Sequence, residues 1–418
     1  MTSVLRSTWP LLLGVLLLMV GNGMQGTLLG IRGGIEGIGT GYMSIVMASY
    51  YAGFLLGSLT VPRLIQSVGH VRVFAALGSL ISAVLVLYAV APDWVAWSLL
   101  RVIIGFSFCG VYIAAESWLN AGATNENRGQ VLSAYMVVQM LGIIFGQLLL
   151  NTGDPREFLL FVIPSVLVSL AFTPILLSAQ PAPAFSTIQR MSFRRLYHAS
   201  PLGCVGIFLM GGVFSALFGM SSVWGASEGM SVREISVFVA AIYGGGLLMQ
   251  FPIGWLSDRM DRRTLVLELS VLGCMAVIAV LLVPMNIWGL TIVGAVIGGI
   301  ANPVYGLLLA YTNDYLDQKE MASASAGLLF INGLGSMTGP LITGWLMGLI
   351  GPDGFWVYVG LLLAVLAGYA GWRMTRRAAL SAQAQGNYAM ISPSATTFAV
   401  EVALDEAQDS TPAPGTAH

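Results

Sequence analysis

Charge is the scarcest property of this sequence. Of 418 residues only 9% are Asp, Glu, Lys or Arg, and Lys319 is the one lysine. A water-soluble chain carries about a quarter charged residues. A 56% hydrophobic content and a mean hydropathy of +0.82 put this chain in the membrane class instead. Lys319 sits in DQKEM, so no G-x-x-x-x-G-K-[ST] phosphate loop exists and ATP is disfavoured as a driving force. Net charge is −1, with nothing that marks a nucleic-acid partner. The cysteines Cys109, Cys204 and Cys274 each lie in apolar runs, which argues against a disulfide framework and a metal site. The histidines His70, His198 and His418 fall in expected loops or the tail. No Ser/His/Asp set or metal-ligand spacing emerges, so neither an enzyme nor a cofactor is expected.

What the sequence has is apolar length. Breaks at charged or Pro/Gly-rich points leave twelve spans of about 20 residues, near 9–30, 41–62, 73–91, 94–117, 129–150, 157–179, 201–224, 233–256, 264–283, 287–311, 322–349 and 354–374. The start resembles a signal peptide, but its apolar run is too long and is read as the first span. The organisation is a six-span unit (1–179), a polar cytoplasmic linker (180–200), a second six-span unit (201–374) and a disordered cytoplasmic tail (375–418). With both ends cytoplasmic, that side holds fourteen of the 18 basic residues, the far side holds Arg32, Arg156 and Arg233, and Arg101 lies within a span. This bias is the positive-inside pattern.

The halves repeat. Gln66 and Asp258 are 192 positions apart, and so are Gly69 and Asp261; Tyr112 and Tyr305, Asn120 and Asn313, Gly142 and Gly335, and Gly146 and Gly339 are 193 apart. A constant offset across loops and helices indicates a duplicated six-helix unit. One loop stands out: GWLSDRMDRR, Gly254 to Arg263, holds five charges in ten residues.

That loop resembles the G-x-L-x-D-R-x-G-R-R turn of the major facilitator superfamily. Gly254, Asp258, Arg259, Arg262 and Arg263 match, and Asp261 replaces a glycine. The first-half counterpart, PRLIQSVGHVR, keeps Gly69 and Arg72 but has Gln66 for the aspartate. RVIIGFSF (Arg101, Gly105), ESWLNAGATNENRGQ and NPVYGLLLAYTND resemble one bacterial branch of the superfamily with largely unassigned substrates, over about residues 9–375. The resemblance implies an all-α fold of two six-helix repeats, a cavity lined by spans one, four, seven and ten, and a conformational latch at the charged turn. The plainer alternative for the turn is a positive-inside anchor.

Within the spans, Arg101, Gly105, Cys109, Tyr112 and Glu116 recur at spacings of three and four and so share one helix face. Arg101 and Glu116 are about 22 Å apart at 1.5 Å per residue, too far to pair. Arg101 is expected to contact a substrate anion or couple protons, or else to bond the Asn22 and Gln25 amides. Glu116 is expected to pair with Arg72 or Arg63, or else to carry a proton. Glu268 is expected to partner the charged loop. Asn22, Gln25, Ser221, Ser222, Trp224, Asn302, Tyr305 and Tyr311 are candidates to face the cavity or a neighbouring helix, with Pro303 interrupting span ten. Gly142/Gly146 and Gly335/Gly339 indicate close helix packing; Pro340 follows the second pair, and the first-half GIIFGQ lacks a proline.

The function expected from these features is secondary transport of a small molecule across a bacterial cytoplasmic (inner) membrane by alternating access, with protons as coupling partner, by a monomer in the lipid bilayer. The alternatives are an efflux pump for hydrophobic or amphipathic compounds and a membrane receptor that moves nothing.

Overall fold

The computed structural model describes residues 2–121, 123, 128–176, 191–376 and 388, and all regular structure among them is helical. Lipid leaves no other choice to a chain with such long apolar runs, because a helix satisfies its own backbone hydrogen bonds. The first half comprises α1 (Thr2–Ile35), α2 (Thr40–Val68), α3 (His70–Val90), α4 (Trp94–Ala121), α5 (Arg128–Leu149) and α6 (Leu159–Leu176). A short helix, α7 (Phe193–Ala199), precedes the second half. There α8 (Pro201–Ser215), a π-helical turn (Ala216–Met220) and α9 (Ser221–Ser227) form one span, followed by α10 (Val232–Ser257), α11 (Arg262–Leu282), α12 (Ile287–Asn313), α13 (Gln318–Ile350) and α14 (Gly354–Met374). Eleven of these spans are long and apolar enough to cross a bilayer, and a shorter apolar stretch of α6, Leu159–Pro174, makes the twelfth.

The polar connection 180–200 carries α7: Ser192 caps it by accepting the Arg195 N–H, and Arg195 reaches Glu320 on α13. Residues 180–190 lie outside the described residues, as does the tail apart from Thr375, Arg376 and Tyr388. Pro303 lies within α12, which runs through it to Asn313 as the expected tenth span did.

Local sequence explains the turns. Gly69 sits between α2 and α3 at φ 88°, a conformation that L side chains rarely adopt. At the matching turn of the second half, Asp261 takes φ −62° and caps α11, accepting the Arg263 N–H at 3.2 Å. Ser231 and Glu234 form a reciprocal capping box at the start of α10.

The duplication is written in the packing as well. A Cβ on Gly53 (α2) would strike the Val102 carbonyl, and one on Gly105 (α4) the Tyr50 carbonyl. In the second half Gly245 meets Ala295 and Gly298 meets Ile242 in the same way. Each of these four residues lies 192 or 193 positions after its first-half equivalent. Gly142 likewise packs on the Leu16 carbonyl and Gly335 on that of Phe208, 192 positions on. Lipid offers no hydrophobic drive between helices, so close backbone approach at small residues supplies the attraction.

An even number of spans puts α1's start, α7 and α14's end on one face, here the proximal face. The halves meet near the opposite, distal face. Gly30 of α1 packs on Ser222 of α9, Gly34 lies against Ala226, and Gly344 of α13 packs on Ser44 of α2.

Candidate functional site

A cavity of about 1420 Å³, its open mouth included, lies between the halves. Gln25 and Arg101, near its distal limit, sit beneath the glycine contacts just described. Ser58 and Ala326 line it toward the proximal ends of α2 and α13. The cavity therefore runs away from the closed end.

Its lining follows the repeat. Tyr51 (α2) and Tyr243 (α10) both line it, 192 positions apart, and so do Gln139 (α5) and Asn332 (α13), 193 apart. Asn22 pairs in this sense with Phe214, and Cys109 with Asn302. The expectation that spans one, four, seven and ten line the cavity is thus incomplete: α2, α5 and α13 line it as well, and α10 adds Tyr243. The 192-residue offset was the signal that would have found Tyr51 and Tyr243. The π-helical turn was not foreseen. It carries Phe218, whose ring centroid lies 4.3 Å from that of Phe214 and 4.2 Å from that of Tyr243. Such turns change the register of side chains within a helix.

Charge breaks the symmetry. Arg101 is 4% exposed and is the only charged residue among the described residues that line the cavity. Its second-half equivalent is Gly294. Arg101 Nη1 donates to Gln25 Oε1 at 2.9 Å, Gln25 Nε2 to Asn22 Oδ1 at 3.1 Å, and Asn22 Nδ2 to the Tyr112 hydroxyl at 3.1 Å. Arg101 Nη2 contacts Met47 Sδ at 3.2 Å, and the guanidinium carbon lies 5.0 Å from the Tyr50 ring centroid. Arg101 Nε and Asn302 Nδ2 are buried donors that meet no acceptor at bonding geometry among the described residues, with the Tyr88 hydroxyl beside the Arg101 guanidinium. A buried donor left unsatisfied costs about 1–3 kcal/mol, more for a charged group, and an incoming acceptor recovers that cost.

Other expected residues fall elsewhere. Glu116 is 3% exposed and accepts the Tyr135 hydroxyl at 3.1 Å. The expected bridge to Arg72 or Arg63 is absent, because both arginines point outward while the carboxylate turns inward toward α5. Gln139, one turn beyond Tyr135, reaches both that hydroxyl and the cavity. Tyr305 and Tyr311 are buried away from the cavity, Tyr311 edge-on to Tyr315 at 5.1 Å. Trp224 packs with Phe238, Phe355 and Trp356. Glu268 is exposed on α11 rather than paired with the loop. His70, expected in a loop, begins α3 and meets Ser117 at 3.2 Å. Among the described residues no three His, Cys, Asp or Glu side chains are grouped to hold a metal.

The charged turn is bound within its own half. Arg262 Nη1 pairs with Asp314 Oδ2 at 2.6 Å, with side chains 1% and 4% exposed, and Arg262 Nε donates to Ser257 Oγ at 3.2 Å. Arg263 pairs with Asp261 at 2.9 Å. Arg259 donates to the Trp255 carbonyl at 3.1 Å and lies 4.2 Å from the centroid of that ring. Asp258 is exposed and accepts the backbone N–H of Tyr388 at 2.8 Å.

The family model of the Major Facilitator Superfamily matches residues 11–244 and 202–399. An uncharacterized MFS-type transporter of Enterobacter sp. (strain 638) is 28% identical over 356 residues, 83% of this chain and 90% of that one. The uncharacterized MFS-type transporter YcaD of Salmonella arizonae is 27% identical over 352 residues, with the same coverage. Among solved structures, the nucleoside transporter NupG superposes with a TM-score of 0.71 at 15% identity, covering 88% of this chain and 99% of its own. A bacterial homolog of the human lysosomal transporter Spinster, inward-facing and unoccupied, gives 0.67 at 14% identity, over 95% and 98%. At these identities the structures establish the fold alone. With the family model matching both halves, the chain belongs to the Major Facilitator Superfamily and is a multi-pass membrane transporter of a small molecule.

Proposed function

We propose that this protein is a proton-coupled secondary transporter that moves an organic monoanion with a broad apolar or aromatic body by alternating access. The observation that carries this reading is Arg101: one buried cation in a cavity whose described lining residues include no carboxylate. A carboxylate or similar anion compensates that charge through charge-assisted hydrogen bonds. Rings such as Phe54, Phe214, Phe218 and Phe330 favour an apolar body. Alternating access is supported by the distal glycine contacts, which close one end while the cavity extends toward the other. The positive-inside pattern supports a bacterial inner membrane with both termini cytoplasmic. Monomer is the superfamily default. Glu116 is the proton site in this reading, and Tyr135 and Gln139 link it to the cavity. The charged turn acts as a latch through Asp258, its exposed carboxylate.

The test uses three isosteric probes, 2-naphthoate, 2-naphthylmethanol and 2-naphthylmethylammonium, in thermal-shift and calorimetric titrations at two pH values. A ligand at 100 times its Kd adds about 2.7 kcal/mol of stability. Naphthoate is expected to stabilise the wild type, and Arg101→Gln to abolish the shift while leaving the apo protein folded. Stabilisation by the cation or the alcohol that survives Arg101→Gln overturns the anion reading and favours efflux of amphipaths.

A further inference from the structure

The repeat predicts what belongs between the proximal ends of α10 and α12, and the second half departs from it. In the first half the equivalent positions of α2 and α4 carry side chains of their own. Pro62 and Ile113 hold the positions whose second-half equivalents are Gly254 and Gly306. Two side chains are thus missing at facing positions of α10 and α12, and a slot opens between them. Tyr388, from the tail, fills it. A Cβ on Gly254 would lie 2.7 Å from Tyr388 Cδ1, and one on Gly306 would lie 2.7 Å from the Tyr388 hydroxyl. The backbone N–H of Tyr388 donates to Asp258 Oδ1 at 2.8 Å. Burial in this slot pushes the Tyr388 phenol above its ordinary range.

We propose that the proximal ends of α10 and α12 form a docking slot for the protein's own carboxyl-terminal tail, with Tyr388 as occupant, and that docking occupies Asp258 and favours the distally closed conformation. The physical argument has two parts. Ring against glycine gives shape selectivity, since any larger side chain at position 254 or 306 excludes the ring. The tail amide then takes an acceptor orbital of the one exposed carboxylate in the charged turn. A contact made in only one of two conformations shifts their populations by its own free energy. Docking itself stands whatever the protein transports; only the consequence for Asp258 rests on the latch reading.

The test uses the full-length protein in nanodiscs. For docking, 3-fluorotyrosine is placed at position 388 alone, and its fluorine resonance is challenged with a soluble gadolinium chelate. The wild type is expected to resist relaxation several-fold better than Gly306→Leu, in which the slot is filled. Equal relaxation in both overturns docking. For the conformational effect, nitroxides on Ser67→Cys and Asp317→Cys, with Cys109, Cys204 and Cys274 changed to Ala, report the separation of α2 and α13 at the proximal face. Tyr388→Ala, a change in the tail that leaves the helices intact, is expected to move the population about threefold to tenfold toward the short distance, the weight of one hydrogen bond and a buried ring. Tyr388→Phe keeps the amide and the ring and is expected to match the wild type. Identical distance distributions for wild type and Tyr388→Ala overturn the regulatory part even if docking holds. Neither measurement needs a substrate, so a wrong transport assignment leaves both results readable.

Discussion

Arg262 and Asp314 show how much one pair of side chains can commit the structure to. Both are buried, so removing one partner leaves a charge in a poorly solvated place. Breaking such a pair costs about 3–5 kcal/mol, whereas replacing both partners with apolar residues is often neutral. Asp314→Asn is therefore expected to lower the unfolding midpoint in detergent sharply, and Arg262→Met/Asp314→Met to lower it less. A double variant weaker than the single would refute this account. At this scale the sequence was partly legible. Arg101, Gln25, Asn22 and Tyr112 stood out because polar groups in apolar spans must find one another, and they do. Glu116 misled because sequence distance favours nearby arginines, while the buried carboxylate's visible partner, Tyr135, reads as one more aromatic in an apolar run. Tyr388 gave no signal at all: it lies in a polar tail whose composition resembles a solvated segment.

Helices were the easiest objects to read. Span number follows from apolar length, and the charged turn from its density of charge. The π-helical turn in the seventh span was illegible, since ALFGM has no composition that marks an extra residue per turn. What elements do to each other depends on glycine. Gly30 and Gly344 close the distal face by letting backbones approach Ser222 and Ser44. Gly30→Val places branched bulk in that contact and is expected to hold the distal face apart. A cysteine at exposed Tyr42, near the distal start of α2, should then react faster with a membrane-impermeant maleimide, by about tenfold if the equilibrium moves ~1.4 kcal/mol. Unchanged labelling would place the distal closure elsewhere. Gly53 and Gly105, which act within one half, are expected to destabilise folding when enlarged and to leave the labelling ratio of the folded fraction unchanged.

Seen whole, the molecule is two similar halves with dissimilar chemistry. Tyr51 and Tyr243, or Gln139 and Asn332, give the cavity matching walls, yet Arg101 and Glu116 both belong to the first half, opposite Gly294 and Leu309 in the second. Proton coupling assigned to Glu116 predicts that Glu116→Gln still exchanges labelled anion across proteoliposomes but no longer accumulates it when an inward pH gradient is imposed. Gradient-driven accumulation by this variant would remove Glu116 from the cycle. The lone cavity arginine has an electrical consequence. On the proposed alternating-access reading, with no carboxylate among the described lining residues, an empty carrier presents this positive charge first to one compartment and then to the other, offset only by Glu116 when that carboxylate is ionised. Part of the membrane voltage acts on that charge, and a full elementary charge through 100 mV is worth about 2.3 kcal/mol. On the same reading a bound monoanion cancels it, so the resting potential would act chiefly on the return of the empty protein, and most strongly when Glu116 is protonated.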